Sequence, residues 1–221
     1  MSQRQRHFDL IAFDWDGTLF DSTALITRCI QYACRDLGVA VPSDRDAAYV
    51  IGLGLGDALR HAAPDLPRER YAELGLRYRH HYASHQHALL LFPGTLEMLQ
   101  QLKASQHWVT VATGKARRGL DEALQTAQLK GVFHSTRTAD ETAAKPDPRM
   151  LQELMQEFQA DPERTLMIGD TTHDLQMAVN AGTSCVAVSY GAHEPDGFAR
   201  FNPLTIAHST AQLHDWLLHH G

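Results

Sequence analysis

The chain has 221 residues, of which 43% are hydrophobic, so it is large enough to bury a core of its own. Its 20 Lys and Arg residues against 26 Asp and Glu residues give a net charge of −6, which argues against a broad basic surface for nucleic acid or for an anionic membrane. We therefore expect a small molecule as the partner.

The first predicted element is a strand at residues 8–13, FDLIAF, and no convincing buried strand follows between about residues 22 and 91. Apolar residues there recur at helical spacing up to Gly38, a predicted C-cap, and further helices are predicted near 44–50, 56–62 and 67–86. About 70 helical residues are too many for an ordinary connection. We interpret 22–91 as an inserted helical domain, with hinges near 17–22 and 91–95.

From residue 92 onward, short apolar runs alternate with segments of helical period. Strands are predicted at 107–113, 165–170, 184–190 and 204–208, and helices at 94–104, 116–127, 147–159, 173–181 and 209–219. Nearly uniform apolar runs are typical of parallel strands covered on both faces. The predicted fold is therefore α/β, a doubly wound parallel sheet with residues 1–21 and 92–221 as its core and the small α-helical domain 22–91 inserted.

Polar side chains follow several of the predicted strands, at the edge where such sheets bind ligands. They are Asp14, Asp16, Thr113, Gly114, Lys145, Asp170 and Asp174. Four carboxylates converging on one crevice repel one another unless a cation neutralises them, and carboxylate oxygens together with a substrate phosphate suit Mg²⁺. The sequence therefore predicts a magnesium site.

The same edge offers groups for a phosphate ester. Lys145 together with Mg²⁺ would attract a dianion, while the Thr113 hydroxyl and the backbone N–H groups after Asp14 could bind phosphoryl oxygens. A carboxylate held in line with phosphorus can form an aspartyl-phosphate, which divides a difficult hydrolysis into two easier displacements.

Four motifs, DWDGTLFDS, VATGK, AAKPDP and IGDTTHD, resemble in order those of the haloacid dehalogenase superfamily, from residue 9 to about residue 190. The helical insertion resembles that of its C1-capped, phosphoglycolate phosphatase-like group. The resemblance implies that Asp14 is the nucleophile and a metal ligand, and that Asp16 is the general acid and then the general base, with its backbone carbonyl on the metal. It implies phosphoryl and charge-balancing contacts for Thr113, Gly114 and Lys145. It also implies that Asp170 coordinates Mg²⁺ directly and that Asp174 lies behind Asp170.

Asp16 narrows the reaction within the superfamily. Family dehalogenases and phosphonate hydrolases lack this residue, whereas a leaving alkoxide needs the proton that it could supply. Sugar-phosphate mutases share Asp16, but their group has a cluster of His and Lys soon after the first motif. The corresponding segment of this chain, STALITRCIQYACRDLG, contains neither residue type. A Mg²⁺-dependent phosphatase acting on a small, phosphoglycolate-like monoester is favoured. A mutase or pyrophosphatase of the same superfamily is the alternative.

A response-regulator receiver is an alternative from a different class, because receivers also combine Mg²⁺, a phosphorylated Asp, a Thr or Ser and a Lys. Three features oppose it. The candidate nucleophile ends the first strand rather than a central one, a second Asp follows two residues later, and the chain carries an insertion that would enclose a small substrate.

Three other features are interpreted as structural. Lys115 is expected to be a surface lysine, and GLGLGD at 52–57 is a turn that lacks the spacing of a nucleotide-binding loop. His81 and His85 have the i, i+4 spacing of zinc ligands, but a solvated helix surface is the favoured interpretation.

Cys29, Cys34 and Cys185 are odd in number, lie in apolar contexts and lack metal-ligand spacing. We expect buried free thiols in a reducing compartment, hence a cytoplasmic protein. The start MSQRQRHFDL has no long apolar region, and no stretch approaches the ~20 apolar residues of a membrane span. Neither the physiological substrate nor the oligomeric state follows from the sequence.

Overall fold

A parallel sheet forms the centre of the molecule, which the computed structural model describes over residues 7–85, 90–126 and 129–221. Its strands run in the order β3-β2-β1-β4-β5-β6. They are β1 (Leu10–Phe13), β2 (Trp108–Thr113), β3 (Ser135–Thr138), β4 (Thr165–Gly169), β5 (Ser184–Val188) and β6 (Ile206–Ala207). This order, with all pairs parallel, confirms the doubly wound fold class.

Among the described residues, four helices form the segment between 22 and 91. They are α1 (Thr23–Asp36), α2 (Asp44–Tyr49), α3 (Leu55–Ala62) and α4 (Tyr71–His85), with a 3-10 turn at Arg68–Arg70. Their apolar faces enclose a cluster that includes Ile26, Ile30, Ala33, Leu59 and Leu74. The predicted helices are present, and residue 86 of the predicted 67–86 segment lies outside the described residues.

Two short segments connect these four helices to the sheet, and they run beside each other. The Asp21 backbone N–H donates to the Leu90 carbonyl and the Phe92 N–H to the Leu19 carbonyl, both at 3.0 Å. The insertion therefore leaves and re-enters the sheet at one place. The division into 1–21, 22–91 and 92–221 stays a prediction.

Five helices cover the two faces of the sheet: α5 (Thr95–Ala104), α6 (Arg117–Thr126), α7 (Arg149–Phe158), α8 (Thr172–Ala181) and α9 (Thr210–His220). Successive residues of a strand point to opposite faces. Ile11 and Phe13 accordingly belong to the cluster of α5, α6 and α9, whereas Leu10 and Ala12 belong to the cluster of α7 and α8. Residue 127 of the predicted 116–127 helix lies outside the described residues.

Two sequence-based expectations about the sheet were wrong. The first strand of the chain is central in the sheet, because β1 lies between β2 and β4, so that argument against a receiver fails. The edge strand β3 was not predicted, because its sequence STRT contains no apolar residue. Its Arg137 is held instead by Glu153 at 2.7 Å and Glu157 at 2.9 Å on α7.

The three cysteines are buried and free, as predicted. Within the described ranges, no helix has both the length and the apolar character needed to span a bilayer.

Candidate active site

Asp14 and Asp16 follow β1 at the carboxyl edge of the sheet. Trp15 between them is 1% exposed and stacks on Phe20 with ring centroids 4.7 Å apart. Its side chain is therefore part of the core, and the two flanking carboxylates remain available to the crevice. The backbone N–H of Asp14 donates to the Ile168 carbonyl at 2.9 Å, which fixes the end of β1 against β4.

Lys145 neutralises part of the acidic crevice from within. Its ammonium lies 2.5 Å from Asp14 Oδ1 and 2.5 Å from Asp174 Oδ1, and its side chain is fully buried. Burial alone would lower the pKa of Lys145, but the Asp14 and Asp174 carboxylates outweigh burial and raise it. Lys145 therefore stays charged.

Asp14 itself is under opposing influences. Burial raises its pKa, the Lys145 ammonium opposes that shift, and the Asp174 and Asp170 carboxylates add to it. Its Oδ2 is buried and accepts no hydrogen bond from any described residue. A buried carboxylate oxygen without a partner is costly, so this atom is available to a cation or a reacting group.

Asp170 lies directly after β4 and is completely buried. Its Oδ1 accepts from the Thr18 hydroxyl at 2.8 Å and its Oδ2 from the Ala192 N–H at 2.7 Å. Burial, followed by the Asp174 carboxylate, raises the pKa of Asp170 to about 7. Gly17 has φ +89°, and a Cβ there would lie 2.2 Å from Asp170 Oδ2, so the turn after Asp16 requires glycine for two reasons.

Asp174 joins the cluster from the first turn of α8. Its Oδ2 accepts from the Thr171 N–H at 3.0 Å and from the Thr171 hydroxyl at 2.6 Å. The Asp174 N–H in turn donates to the Thr171 hydroxyl oxygen at 3.3 Å, which completes the capping box of that helix. The helix therefore holds Asp174 rigidly while its other oxygen pairs with Lys145.

A divalent cation fits the residues that are present. One carboxylate oxygen from each of Asp14, Asp170 and Asp174 lies within 4.8 Å of the others. Three carboxylates and the single Lys145 ammonium leave two negative charges when all are ionised, as 3 − 1 = 2. Carboxylate oxygens of this kind suit Mg²⁺.

The Asp16 side chain contacts a hydroxyl and an ammonium and is not one of the three carboxylates of this cluster. Its Oδ1 accepts from Ser22 Oγ at 2.8 Å, and Lys115 Nζ lies 3.2 Å from Oδ1 and 3.0 Å from Oδ2. The prediction that Lys115 is a surface lysine was therefore wrong, since its side chain is only 12% exposed. Tyr82 of α4 covers it, with the Tyr82 hydroxyl 3.1 Å from Lys115 Nζ.

Thr113 and Gly114 end β2 beside these carboxylates. Thr113 is 1% exposed, and its hydroxyl accepts from the Lys115 N–H at 3.2 Å. A Cβ on Gly114 would lie 2.4 Å from the Gly52 carbonyl oxygen and 2.5 Å from that of Leu53. Only glycine permits this approach of the 50–54 turn, which lies over the crevice. The turn predicted at GLGLGD is therefore present over 52–54 only, because Leu55 begins α3.

A cavity of about 680 Å³ opens above these groups. Asp14, Asp16, Thr113 and Gly114 line it from the sheet, and α1, α3, α4 and the 50–54 turn supply much of its wall. The residues predicted at three strand ends thus converge with Lys145 at one end of one cavity, and Asp170, Asp174 and Lys145 are buried next to Asp14.

Three residues that contact the site were not identified from the sequence, although two of them lie within the first motif. Thr18 and Ser22 donate to Asp170 and Asp16, and hydroxyl residues closely following two acidic residues were the available signal. Tyr82 had no signal, because its contact depends on how α4 packs over Lys115.

The histidine pair on α4 does not form a metal centre with other described residues. His81 Nε2 lies 2.8 Å from Asp36 Oδ2 on α1, and His85 Nδ1 lies 2.9 Å from the His81 carbonyl. Among the residues that the structure covers, the acidic trio around Asp14 is the group with metal-ligand geometry.

The chain matches the family of haloacid dehalogenase-like hydrolases over residues 11–188. It is 33% identical over 209 residues to a probable phosphatase IndB of Dickeya dadantii, covering 92% of this chain and 91% of the relative. It is 30% identical over 223 residues to a phosphoglycolate phosphatase of Vibrio vulnificus, covering 97% and 98%. A pyrophosphatase PpaX of Halalkalibacterium halodurans is 28% identical over 207 residues, covering 93% and 94%.

Two solved structures show the same fold. A predicted phosphoglycolate phosphatase from Haemophilus somnus has a TM-score of 0.84 at 24% identity, covering 96% of this chain and 99% of the other. A haloacid dehalogenase-like hydrolase from Bacteroides fragilis has a TM-score of 0.85 at 25% identity, covering 93% and 99%. The chain therefore belongs to the haloacid dehalogenase-like hydrolases, as its four motifs predicted.

Proposed function

We propose that this hydrolase is a Mg²⁺-dependent phosphatase that cleaves a small phosphate monoester through an aspartyl-phosphate on Asp14. The observation that carries the proposal is the buried Oδ2 of Asp14, which lacks a partner among the described residues although a full set of charged neighbours surrounds it. Relatives named as phosphatases support the same reaction class.

Asp14 supplies the nucleophile. Its carboxylate oxygen attacks phosphorus, the ester P–O bond breaks, and the phosphoryl group is transferred to Asp14. Lys145 holds the Asp14 carboxylate in place through Oδ1, which leaves Oδ2 free to react. The Thr113 hydroxyl and the backbone N–H of Gly114 would bind phosphoryl oxygens, because both residues line the same cavity as Asp14.

Asp16 moves the proton in both steps. In its protonated form it donates to the leaving oxygen, and as a carboxylate it then removes a proton from the water that attacks the aspartyl-phosphate. That attack releases inorganic phosphate and restores Asp14. Ser22 and Lys115 hold the Asp16 side chain at the cavity end, apart from the carboxylates that would bind metal.

Asp14 and Asp170 would hold the Mg²⁺, together with the backbone carbonyl of Asp16 that the family pattern implies, and Asp174 would lie behind them. When bound, the ion neutralises the phosphoryl oxygens and stabilises the charge that develops on them. Lys145 remains necessary because it pairs with two carboxylates of the cluster, those of Asp14 and Asp174.

Residues 22–91 would act as a cap that excludes water from the crevice and selects the leaving group, while 1–21 and 92–221 carry the chemistry. The expected partner is a small phosphorylated metabolite in the cytoplasm. The pyrophosphatase relative makes inorganic pyrophosphate the second candidate substrate.

The direct test measures phosphate release from p-nitrophenyl phosphate with and without Mg²⁺. We expect Asp14→Asn to abolish the Mg²⁺-dependent rate, because an amide does not attack phosphorus, whereas the exposed Asp65→Asn in the insertion serves as a matched control. An acid-quenched reaction should show one phosphoryl group on the peptide that contains Asp14. More than about a tenth of the kcat retained by Asp14→Asn would overturn the assignment.

A further inference from the structure

The wall of the active-site cavity is largely apolar. The side chains that face it from the four inserted helices and their turns include Ile26, Ile30, Leu53, Leu55, Tyr78 and Tyr82. Ile26 and Ile30 come from α1, Leu55 from α3, and the two tyrosines from α4. A leaving group bound above Asp14 therefore meets hydrocarbon and aromatic surface from three of the inserted helices.

The cations that line the cavity are engaged or exposed. Lys115 pairs with Asp16, and Arg118 pairs with Glu122 at 3.0 Å while its side chain is 92% exposed. The other basic lining residues, Arg79 and His80, are exposed on α4. Among the described lining residues, none is a buried cation free to bind a carboxylate of the leaving group.

The size of the cavity also indicates a leaving group larger than two carbons. About 680 Å³ lies within the roughly 300–1,000 Å³ of pockets that enclose drug-sized ligands. A two-carbon acid attached to the phosphate would reach little of the wall. The remaining apolar surface would then stay hydrated, which is unfavourable.

Two aromatic rings mark the part of the wall nearest to the acid–base group. The rings of Tyr78 and Tyr82 are stacked with centroids 5.9 Å apart, and the Tyr82 hydroxyl contacts the Lys115 ammonium that holds Asp16. Aromatic side chains pack favourably against flat rings. A ring attached near the ester oxygen would lie against these tyrosines and near the α1 isoleucines, which line the same cavity.

We propose, on the basis of the proposed phosphatase function, that the preferred substrate is a phosphate monoester of a ring-bearing alcohol with an apolar face, and not of a small hydroxy acid. The tyrosine pair and the α1 and α3 aliphatic side chains bind the ring. Specificity then arises from burial of that ring, while Asp14 and Asp16 perform the same two displacements.

The test compares kcat/KM for benzyl phosphate, ethyl phosphate and phosphoglycolate at saturating Mg²⁺. Benzyl and ethyl phosphate both release unactivated alcohols, so their ratio reports chiefly how the ring is bound. Burying a phenyl ring contributes about 1.5–3 kcal/mol, so we expect kcat/KM for benzyl phosphate to exceed kcat/KM for ethyl phosphate by on the order of tenfold or more. We expect kcat/KM for phosphoglycolate to be no higher than kcat/KM for ethyl phosphate.

Matched variants locate the effect. Leu55→Gln places an amide in the apolar wall and should lower the benzyl-to-ethyl ratio at least about threefold, because part of the ring-binding surface becomes polar. Val41→Gln makes the same kind of change at a side chain of the insertion that is 40% exposed and lies off the cavity, and should leave the ratio unchanged. Circular dichroism verifies that both variants are folded.

A benzyl-to-ethyl ratio below about three, or a preference for phosphoglycolate, overturns the inference. In either case p-nitrophenyl phosphate hydrolysis that still depends on Mg²⁺ and Asp14 would leave the phosphatase assignment intact. Failure to hydrolyse any of the four esters overturns both.

Discussion

Replacing Lys145 with methionine tests whether this lysine neutralises the acidic cluster. The substitution leaves Asp14, Asp170 and Asp174 buried with oxygens within 4.8 Å of one another and no lysine between them. Two unit charges at that distance repel by about 3.5 kcal/mol at an effective dielectric constant of about 20. Removing one partner of a buried ion pair typically costs about 3–5 kcal/mol. Both arguments therefore predict that the free energy of unfolding falls by an amount of this size.

Thermal unfolding in EDTA measures that loss. For a chain of this length, about 1 kcal/mol corresponds to roughly 2–4 °C in Tm, so Lys145→Met should lower Tm by on the order of 10 °C. The exposed Lys130→Met is the control, and a surface change of this kind should alter stability by less than about 0.5 kcal/mol. Equal Tm values for Lys145→Met and Lys130→Met would refute the electrostatic reasoning.

Three further variants probe neighbouring contacts. Asp170→Asn should raise the Mg²⁺ concentration for half-maximal phosphatase activity at least about tenfold, because a ligand charge is lost; an unchanged Mg²⁺ titration would show that Asp170 is not a ligand. Lys115→Met should lower kcat about tenfold or more while Lys115→Arg retains more of it, since Asp16 loses a charged hydrogen bond; equal kcat for both variants and wild type would contradict that role. Gly17→Ala should lower Tm and kcat together because of its φ of +89° and the clash with Asp170, and a Tm within about 1 °C of wild type would show that the turn tolerates a side chain.

Much of the sheet could be predicted because burial on both faces leaves a simple signal. β1, β2, β4 and β5 are nearly continuous apolar runs, and their burial patterns show why. β3 has only Thr138 fully buried, and its remaining side chains are half-buried and polar. An edge strand that is held by hydrogen bonds and ion pairs to a helix carries no apolar pattern, so composition alone could not reveal it.

The buried half of the candidate site was also predictable, because each residue follows a recognisable strand. Asp14, Thr113 and Asp170 come directly at the ends of β1, β2 and β4, and parallel strands bring their carboxyl ends to one edge. Lys145 follows no strand that the sequence predicted. Its position was inferred from the need of a carboxylate cluster for positive charge, and its distances to Asp14 and Asp174 agree with that inference.

Lys115 shows where this reasoning fails. Burial alone would lower its pKa, yet the Asp16 carboxylate, followed by Tyr82 and Tyr78, raises it, so the lysine stays charged beside Asp16. The two lysines therefore have separate contacts: Lys145 neutralises the carboxylates that would bind metal, whereas Lys115 holds Asp16, the proposed acid–base group. The environment of Lys115 depends on Tyr82, which is 33 positions earlier in the chain and belongs to the inserted helices. A group that orients Asp16 is thus covered by the insertion, so the proposed proton transfer and the proposed substrate selection would share one contact that no local sequence pattern encodes.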